Sequence, residues 1–135
     1  MPAFGRKRPR VQRRAWGGTL GRSKYRAVPT VCHGFRFASK REAARYGELL
    51  LLGMAGEIRN LELQPRFPLL VGGVKVGDYV ADFRYQECRL VGSPAIQDVV
   101  WRDVVEDVKG VRTPVYRMKA KHMLAQYGIT IREVR

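Results

Sequence analysis

The sequence predicts a mixed α/β domain that follows a basic N-terminal arm. Two segments, at residues 39–56 and 113–128, combine helix-favouring composition with capping signals. Short runs rich in valine and aromatic residues lie between these segments and after the second one. The resulting order of helix, strands, helix and strand is typical of an α/β layer. The length of 135 residues suits one such domain, which we place at residues 25–135.

The positive charge of the chain is concentrated at its N-terminus. The formal net charge is +14, and residues 1–41 contain twelve Lys and Arg but no Asp or Glu. A segment this basic attracts a polyanion and releases its counterions on binding. We therefore predict that residues 1–24 form a disordered arm that binds nucleic acid, the alternative being a solvated tail that aids solubility. The basic residues expected to contact phosphate there are Arg6, Lys7, Arg8, Arg10, Arg13, Arg14 and Lys24.

Other bulk features predict a soluble intracellular protein. No run approaches the roughly 18 consecutive apolar residues of a membrane span. No apolar segment of signal-peptide length follows the basic N-terminus. Cys32 and Cys88 do not make a disulfide framework, and their spacing relative to His33 and His122 does not indicate a zinc site.

The first ordered elements are a short extended segment and a helix. Residues 25–37 read as an extended piece or a hairpin that turns at His33-Gly34. Ser39 and Glu42 form the SxxE capping box of a helix that Gly56 ends. At helical spacing, one stripe of this helix should face the core: Tyr46, Leu49, Leu50 and Met54.

Several extended segments follow the helix. The prolines of IRNLELQPRFPLLV, Pro65 and Pro68, indicate an edge strand or an irregular extended piece. Turn signals at residues 72–73 and 77–78 bracket VKV and predict a hairpin that leads into the strand YVADFRY. Residues 86–97 contain Gly-Ser-Pro and are predicted to be a connecting loop.

The C-terminal third contains the strongest strand signal. DVVWRDVVEDVKG is dense in valine and long enough to cross a sheet, so we expect it at the centre. Thr113 and Pro114 then begin a second helix, which runs to Gly128. ITIREV closes the chain as a short strand.

Charged residues interrupt two of the apolar strands and suggest a site. Side chains alternate between the faces of a strand, so Asp107 and Lys109 point the same way and Glu106 points away. Asp82 interrupts YVADF, and its carboxylate meets that of Asp107 if the two strands pair. Two neighbouring carboxylates repel unless a cation lies between them, which favours Mg²⁺ or Mn²⁺. The alternative is a structural ion pair, either of Asp107 with an arginine or of Asp82 with Lys109.

The first helix offers a third carboxylate. Glu42 and Glu48 are six positions apart, about 120° on the helical wheel, so only one of them should face the site. We favour Glu42, for which the capping box is the alternative role. For Glu48 a solvated position beside Arg41 or Arg45 is expected, although it stays a possible auxiliary residue.

Together these residues resemble the PD-(D/E)xK nuclease superfamily. The order Glu42, Asp82 and Asp107-Val108-Lys109 is similar to that superfamily's motif. Segments FASKREAARYGELLLLGMAGEI, NLELQPRF, YVADFRY and VVEDVKG resemble a family of short phage-encoded proteins assigned to it. The Gln64-Pro65 step is similar to a Gln-Pro found in its transposon end-cleaving branch. The resemblance covers about residues 24–134 and implies a restriction-endonuclease-like core of helix, three-stranded mixed sheet, helix and strand.

The resemblance also implies roles for individual residues. Asp82 and Asp107 would be metal ligands, helped by Glu42 and the peptide carbonyl of Val108, and Lys109 would orient the attacking water. Two departures are an alanine where the superfamily usually has a proline before the first Asp, and an Asp where it usually has Glu at position 107. Other residues expected to touch DNA or assist the site are Arg112, Lys119 and, as an auxiliary, Gln64.

The expected function is that of a Mg²⁺-dependent (or Mn²⁺-dependent) DNA endonuclease. By analogy with small members of the superfamily, it would act on branched DNA as a Holliday junction resolvase in phage recombination or replication. Symmetric cutting then implies a homodimer, placed in the host cytoplasm if the chain is phage-encoded. The alternatives are a catalytically inactive DNA-binding module with the same fold and a basic RNA-binding or ribosome-associated protein.

Overall fold

A computed structural model describes residues 29–135, so the predicted disorder and phosphate contacts of residues 1–24 lie outside the described residues. The elements are β1 (Thr30–Cys32), β2 (Phe35–Phe37), α1 (Lys40–Met54), β3 (Ile58–Leu63), β4 (Arg66–Val71), β5 (Val74–Val80), β6 (Phe83–Ser93), β7 (Ile96–Val108), α2 (Pro114–Tyr127) and β8 (Arg132–Val134). This is a mixed α/β protein, as the sequence predicts, with more strand than helix.

The main sheet has four strands in the order β3-β6-β7-β8. β8 runs parallel to β7, and the other neighbours are antiparallel, so the sheet is mixed. The predicted sheet of three strands is one strand too small. β7, the valine-rich strand, has a neighbour on each side, and its predicted interior position is confirmed. Two further hairpins, β1-β2 and β4-β5, lie outside this sheet.

The N-terminal hairpin and α1 follow the sequence signals closely. His33 and Gly34, both with positive φ, make the turn between β1 and β2. Ser39 caps α1, and Gly56 takes the left-handed conformation just beyond it. Met54 does not belong to the core stripe, since its side chain is 85% exposed in the last turn of the helix. Leu49, by contrast, is fully buried.

The segment between α1 and β6 differs from the prediction in one turn. Gln64, at a φ of 50°, separates β3 from β4. The turn at residues 72–73 is confirmed, but Gly77 and Asp78 lie inside β5 and form no turn. Gly77 pairs with Leu69 across the β4-β5 hairpin. Asp78 forms ion pairs with Arg66 and Lys75, so the strand provides partners for its charge.

The predicted loop at residues 86–97 is wrong. β6 and β7 form one long antiparallel hairpin that turns only at residues 94–95. The Gly-Ser-Pro signal marks the tip of this hairpin, where Gly92 has a φ of 123° and sits against the carbonyl oxygen of Ile96. Val91 before the tip and Ile96, Val99 and Val100 after it favour strand, and the pairing extends further than the loop signal suggests.

Two apolar clusters cover the two faces of the main sheet. The first lies under α1 and contains Phe37, Ala43, Tyr46, Leu49, Ile58, Phe83, Tyr85 and Val104. The second lies under α2 and the β4-β5 hairpin and contains Phe67, Leu69, Tyr79, Ala81, Val105, Tyr116 and Met123. Consecutive residues Val104 and Val105 therefore face opposite clusters, as strand alternation requires.

The C-terminal elements agree with the sequence signals. Thr113 caps α2, Pro114 occupies its first turn, and Gly128 ends it in the left-handed conformation. β8 is shorter than the predicted ITIREV, since it begins at Arg132. Over residues 29–135, neither helix has the length and apolar character needed to cross a bilayer.

Candidate functional site

Asp82 occupies the junction between β5 and β6. The predicted continuous strand YVADFRY is broken here, because β5 ends at Val80 and β6 begins at Phe83. Main-chain hydrogen bonds hold the junction: the Asp82 N–H donates to the Glu106 carbonyl (3.2 Å), and the Asp82 carbonyl accepts from Gln64 (2.9 Å). The Val108 N–H donates to Asp82 Oδ2 at 2.7 Å. The break thus directs the Asp82 side chain to the end of β7.

Asp107 lies near the end of β7 with its side chain almost fully buried. Its Oδ2 accepts a hydrogen bond from the Tyr79 hydroxyl at 2.5 Å and lies 3.1 Å from Lys109 Nζ. Lys109 Nζ also stands 4.7 Å from the centroid of the Tyr116 ring. Asp107 and Lys109 therefore share a face of the strand end, as the alternation of side chains predicts.

The carboxyl groups of Asp82 and Asp107 lie within hydrogen-bonding range of each other. Burial raises the pKa of Asp82 above its ordinary value. Burial, together with the neighbouring Asp82 carboxyl, raises the pKa of Asp107 to about 6. The Tyr79 hydroxyl and Lys109 oppose this shift but do not cancel it. The site therefore holds more carboxylate charge than the side chains around it neutralise.

Glu42 takes part in both of the roles considered for it. Its own N–H donates to Ser39 Oγ (3.2 Å), and its Oε2 accepts from the N–H of Ala38 (3.0 Å), one residue before the cap, so the capping interaction is formed with the reciprocal bond shifted by one residue. The same buried carboxyl group contributes to the raised pKa of Asp82, which places it beside the acidic pair. Glu48 lies elsewhere: its side chain is 62% exposed and pairs with Arg45 at 2.7 Å.

The acidic pair can be tested for its fit to a metal ion. Within residues 29–135, no group of three or more His, Cys, Asp or Glu side chains has an arrangement that could hold a metal. Mg²⁺, however, is commonly bound through one or two carboxylates, with waters and substrate phosphate completing its octahedron. The donor set therefore fits Mg²⁺ or Mn²⁺ through Asp82 and Asp107 alone. The main-chain contact of Val108 with the pair is its N–H, which donates to Asp82, so the expected role of the Val108 carbonyl as a ligand stays a prediction.

Glu106 points to the opposite face, as predicted, and its environment is structural. Arg45 Nε and Nη2 donate to its two carboxylate oxygens at 2.6 and 3.0 Å. The Tyr85 hydroxyl adds a bond at 2.7 Å. Hydrogen bonds to Glu106 raise the pKa of Arg45, and burial raises the pKa of Tyr85 to about 12. This single, fully buried carboxylate is compensated by Arg45, whereas the two carboxyl groups on the other face have one ion-pair partner, Lys109.

The remaining predicted contacts lie around the site without joining the acidic pair. Arg112 forms an ion pair with Glu133 at 2.7 Å. Lys119 Nζ donates to the Asp78 carbonyl at 2.8 Å. The Gln64 side chain is exposed. An open cleft of ≈ 320 Å³ beside the site is lined by Lys109, Gly110, Val111, Arg112, Glu133 and Arg135.

Tyr79 is the site residue that the sequence analysis missed. Its ring is buried, and its hydroxyl donates a hydrogen bond to the Asp107 carboxylate. The signal was available in principle: in an extended chain Tyr79 and Ala81 point to the same side, and both belong to the apolar cluster under α2. Tyr116 is also buried, and its ring lies beneath Lys109.

Fold and site together define a mixed α/β protein with an acidic, lysine-bearing site at the end of its sheet. The family model DUF1064, described as a protein of unknown function, matches residues 22–134, and the chain belongs to this family. No curated protein and no solved structure matches the chain.

Proposed function

We propose that the protein is a metal-dependent DNA endonuclease. One observation carries the proposal: the carboxyl groups of half-buried Asp82 and buried Asp107 lie side by side with Lys109 adjacent, and within residues 29–135 no arginine is paired to them. Burying two carboxylates together is costly unless a cation compensates them. The contrast with Glu106, which has its arginine, supports a requirement for a cation at this site.

The chemistry is hydrolysis of a phosphodiester. A bound divalent ion would lower the pKa of water and neutralise charge on the phosphate. Lys109, 3.1 Å from Asp107, would orient the water and stabilise the negative charge that develops on the phosphate oxygens. The water oxygen forms a bond to phosphorus as the bond to the 3′ oxygen breaks, and the 3′ oxygen takes up a proton. The products are a 5′-phosphate and a 3′-hydroxyl.

The finer assignment rests on resemblance. The order Glu42, Asp82, Asp107 and Lys109 supports membership of the PD-(D/E)xK superfamily and a restriction-endonuclease-like core. The basic arm and the small size of the chain support branched DNA as the substrate, in the manner of a Holliday junction resolvase from a phage. Such an enzyme would act as a homodimer in the host cytoplasm.

Cleavage assays test this function. Purified protein is incubated with a four-way junction, a flap, a nicked duplex and a linear duplex, with and without Mg²⁺ or Mn²⁺. We expect metal-dependent cutting, strongest on the junction, and none by the Asp107→Ala variant. Glu62→Gln is the control, because it removes an exposed carboxylate of β3 that forms no hydrogen bond or ion pair with Asp82, Asp107 or Lys109, and it should cut like the wild type.

Each possible outcome has a distinct meaning. Tight binding without cutting of any substrate would favour the inactive DNA-binding module. Equal cutting by the Asp107→Ala variant would refute the site assignment. Equal cutting of linear duplex and junction would remove the resolvase assignment and leave the nuclease. Preferential binding of RNA would favour the RNA-binding alternative, which does not account for the acidic pair.

Removal of residues 1–24 should weaken binding to DNA and reduce its salt dependence. Each phosphate contact that is lost lowers the slope of log K against log salt by about 0.9 for duplex DNA. The measurement is the affinity of the full chain and of residues 25–135 for one duplex over a series of salt concentrations. An unchanged slope would show that the arm does not contact phosphate.

A further inference from the structure

The β6-β7 hairpin extends beyond the other strands of the main sheet. β3 pairs with β6 only as far as Glu87, and β8 pairs with β7 only from Glu106. β6 and β7 pair with each other out to Ser93 and Ile96. Along residues 96–105 the outer edge of β7 therefore has no neighbouring strand in the part of the chain that the structure describes. Such an edge is a template for another strand.

Three features that commonly block a free edge are missing here. Proteins commonly block free edges with proline, lysine or a bulge. Residues 96–105 contain neither proline nor lysine, and their pairing with β6 continues without a register shift. Instead, Ile96, Val99 and Val100 are 73%, 56% and 47% exposed. A strand edge of this composition is suited to being covered.

The main-chain groups that face the free edge can be identified. Lys109 donates its N–H to Val134 of β8, whereas Val108 donates its N–H to Asp82 on the side of β6. Main-chain groups alternate in direction along a strand, so the odd-numbered residues of β7 face outward. Residues 97, 99, 101 and 103 therefore present free N–H and C=O groups. An antiparallel partner strand whose midpoint lies opposite Val100 would form main-chain hydrogen bonds with all four of these residues.

Charge selects a second copy of the chain as the partner and fixes the register. When two β7 strands pair around a two-fold axis at Val100, Asp98 of each copy lies opposite the partner subunit's Arg102. Both side chains are exposed, and neither forms an ion pair within residues 29–135. A register centred on residue 99 or 101 would place these charges opposite apolar residues instead. Opposite charges across a strand pair stabilise it.

We propose that the protein forms a homodimer through antiparallel pairing of its β7 strands about Val100. The interface is isologous, as two-fold symmetry requires. The Val100 residues of the two copies lie directly opposite each other, and Val99 of each copy lies opposite Trp101 of the other. Because the two-fold axis is perpendicular to the joined sheet, both copies present Asp107 and Lys109 on the same side. The dimer does not depend on the proposed nuclease chemistry, so an inactive Asp107→Asn protein should dimerise as well.

Charge reversal tests the register. Light scattering coupled to size exclusion measures the mass of the full-length protein at tens of micromolar, where we expect a dimer. Asp98→Arg and Arg102→Asp each place like charges across both contacts, so each variant alone should be monomeric. An equimolar mixture of the two restores both attractive pairs and should dimerise, as should the double variant. The substitutions change exposed side chains only, so the circular dichroism spectra of the variants should match that of the wild type and show that the fold is kept.

A disulfide provides a second, independent measurement. Directly opposed residues of a non-hydrogen-bonded pair have Cα atoms about 4.5 Å apart, within the range that a disulfide spans. In a Cys32→Ser/Cys88→Ser background, Val100→Cys should therefore crosslink the two copies under mild oxidation, whereas Val91→Cys, on the neighbouring strand, should not. A monomeric wild type would overturn the proposal. This outcome includes the possibility that residues 1–28 of the same chain, and not a second copy, cover the edge of β7. A dimer insensitive to both charge reversals would overturn this interface.

Discussion

Asp107→Asn should abolish metal-dependent cleavage while making the metal-free protein more stable at neutral pH. Loss of a metal-binding carboxylate should cost roughly 10³-fold in rate, because several kcal/mol of transition-state stabilisation depend on it. The gain in stability has a separate origin, since the buried Asp107 carboxyl is held next to Asp82. Asparagine keeps the shape and an acceptor oxygen for Tyr79 but removes the charge.

The raised pKa of Asp107 determines whether its charge stabilises or destabilises the folded protein at a given pH. The pKa of Asp107 is about 6 in the folded protein, against an ordinary value of 3.8. Between those values the folded state keeps a proton that the unfolded state has released, so the free energy of unfolding falls as pH rises. The wild type loses this stability fully above about pH 6. Asp107→Asn should avoid the loss and be about 1–3 kcal/mol more stable at pH 7.

Urea unfolding of metal-free protein at a series of pH values measures the effect. The advantage of Asp107→Asn should shrink as pH falls from 6 toward 3.8, whereas Glu62→Gln should follow the wild type throughout. Added Mg²⁺ should stabilise the wild type and leave Asp107→Asn unchanged, because a ligand stabilises only the state that binds it. A variant less stable than the wild type at pH 7 would show that Asp107 is a compensated structural acid.

Arg45→Met should produce the largest loss of stability of any single change to a charged side chain discussed for this protein. Glu106 is fully buried, and Arg45 contacts both of its carboxylate oxygens. Removal of one partner leaves a buried charge with only the Tyr85 hydroxyl, which typically costs about 3–5 kcal/mol. The free energy of unfolding, measured by urea denaturation at one protein concentration, reports the loss.

Two companion variants separate the ion pair from general packing. Glu48→Ala removes the exposed carboxylate that also contacts Arg45 and should cost about 1 kcal/mol or less. Arg45→Met combined with Glu106→Leu removes both charges and should recover much of the loss, since an apolar pair can replace a buried ion pair. If the double variant is no more stable than Arg45→Met alone, the loss arises from packing rather than from the unpaired charge.

Local signals in the sequence located the helices and the candidate site. Caps at Ser39 and Thr113 and left-handed glycines at 56 and 128 are determined by a few adjacent residues, so they can be read without tertiary information. Alternation along β7 separated Asp107 from Glu106 correctly, because the period of a strand is fixed by its backbone.

The errors arose where distant residues decide the structure. The Gly-Ser-Pro sequence that begins at Gly92 predicts a turn, yet β6 stays paired with β7 up to the hairpin tip. Gly77 lies within a strand because Leu69 of β4 lies opposite it. The interruption of YVADFRY at Asp82 depends on bonds to Gln64 and Glu106, which are remote in sequence. The partner of Glu106 was equally hidden, since Arg45 lies 61 residues away.

Equilibrium binding of Mn²⁺ tests the claim that Asp82 and Asp107 together hold a divalent ion. Electron paramagnetic resonance reports the free ion as protein is titrated into a fixed Mn²⁺ concentration. The wild type and the Glu48→Gln control should remove Mn²⁺ from solution to the same extent, and Asp82→Asn/Asp107→Asn should not. Equal binding by the double variant and the wild type would contradict the site on which the proposed function rests.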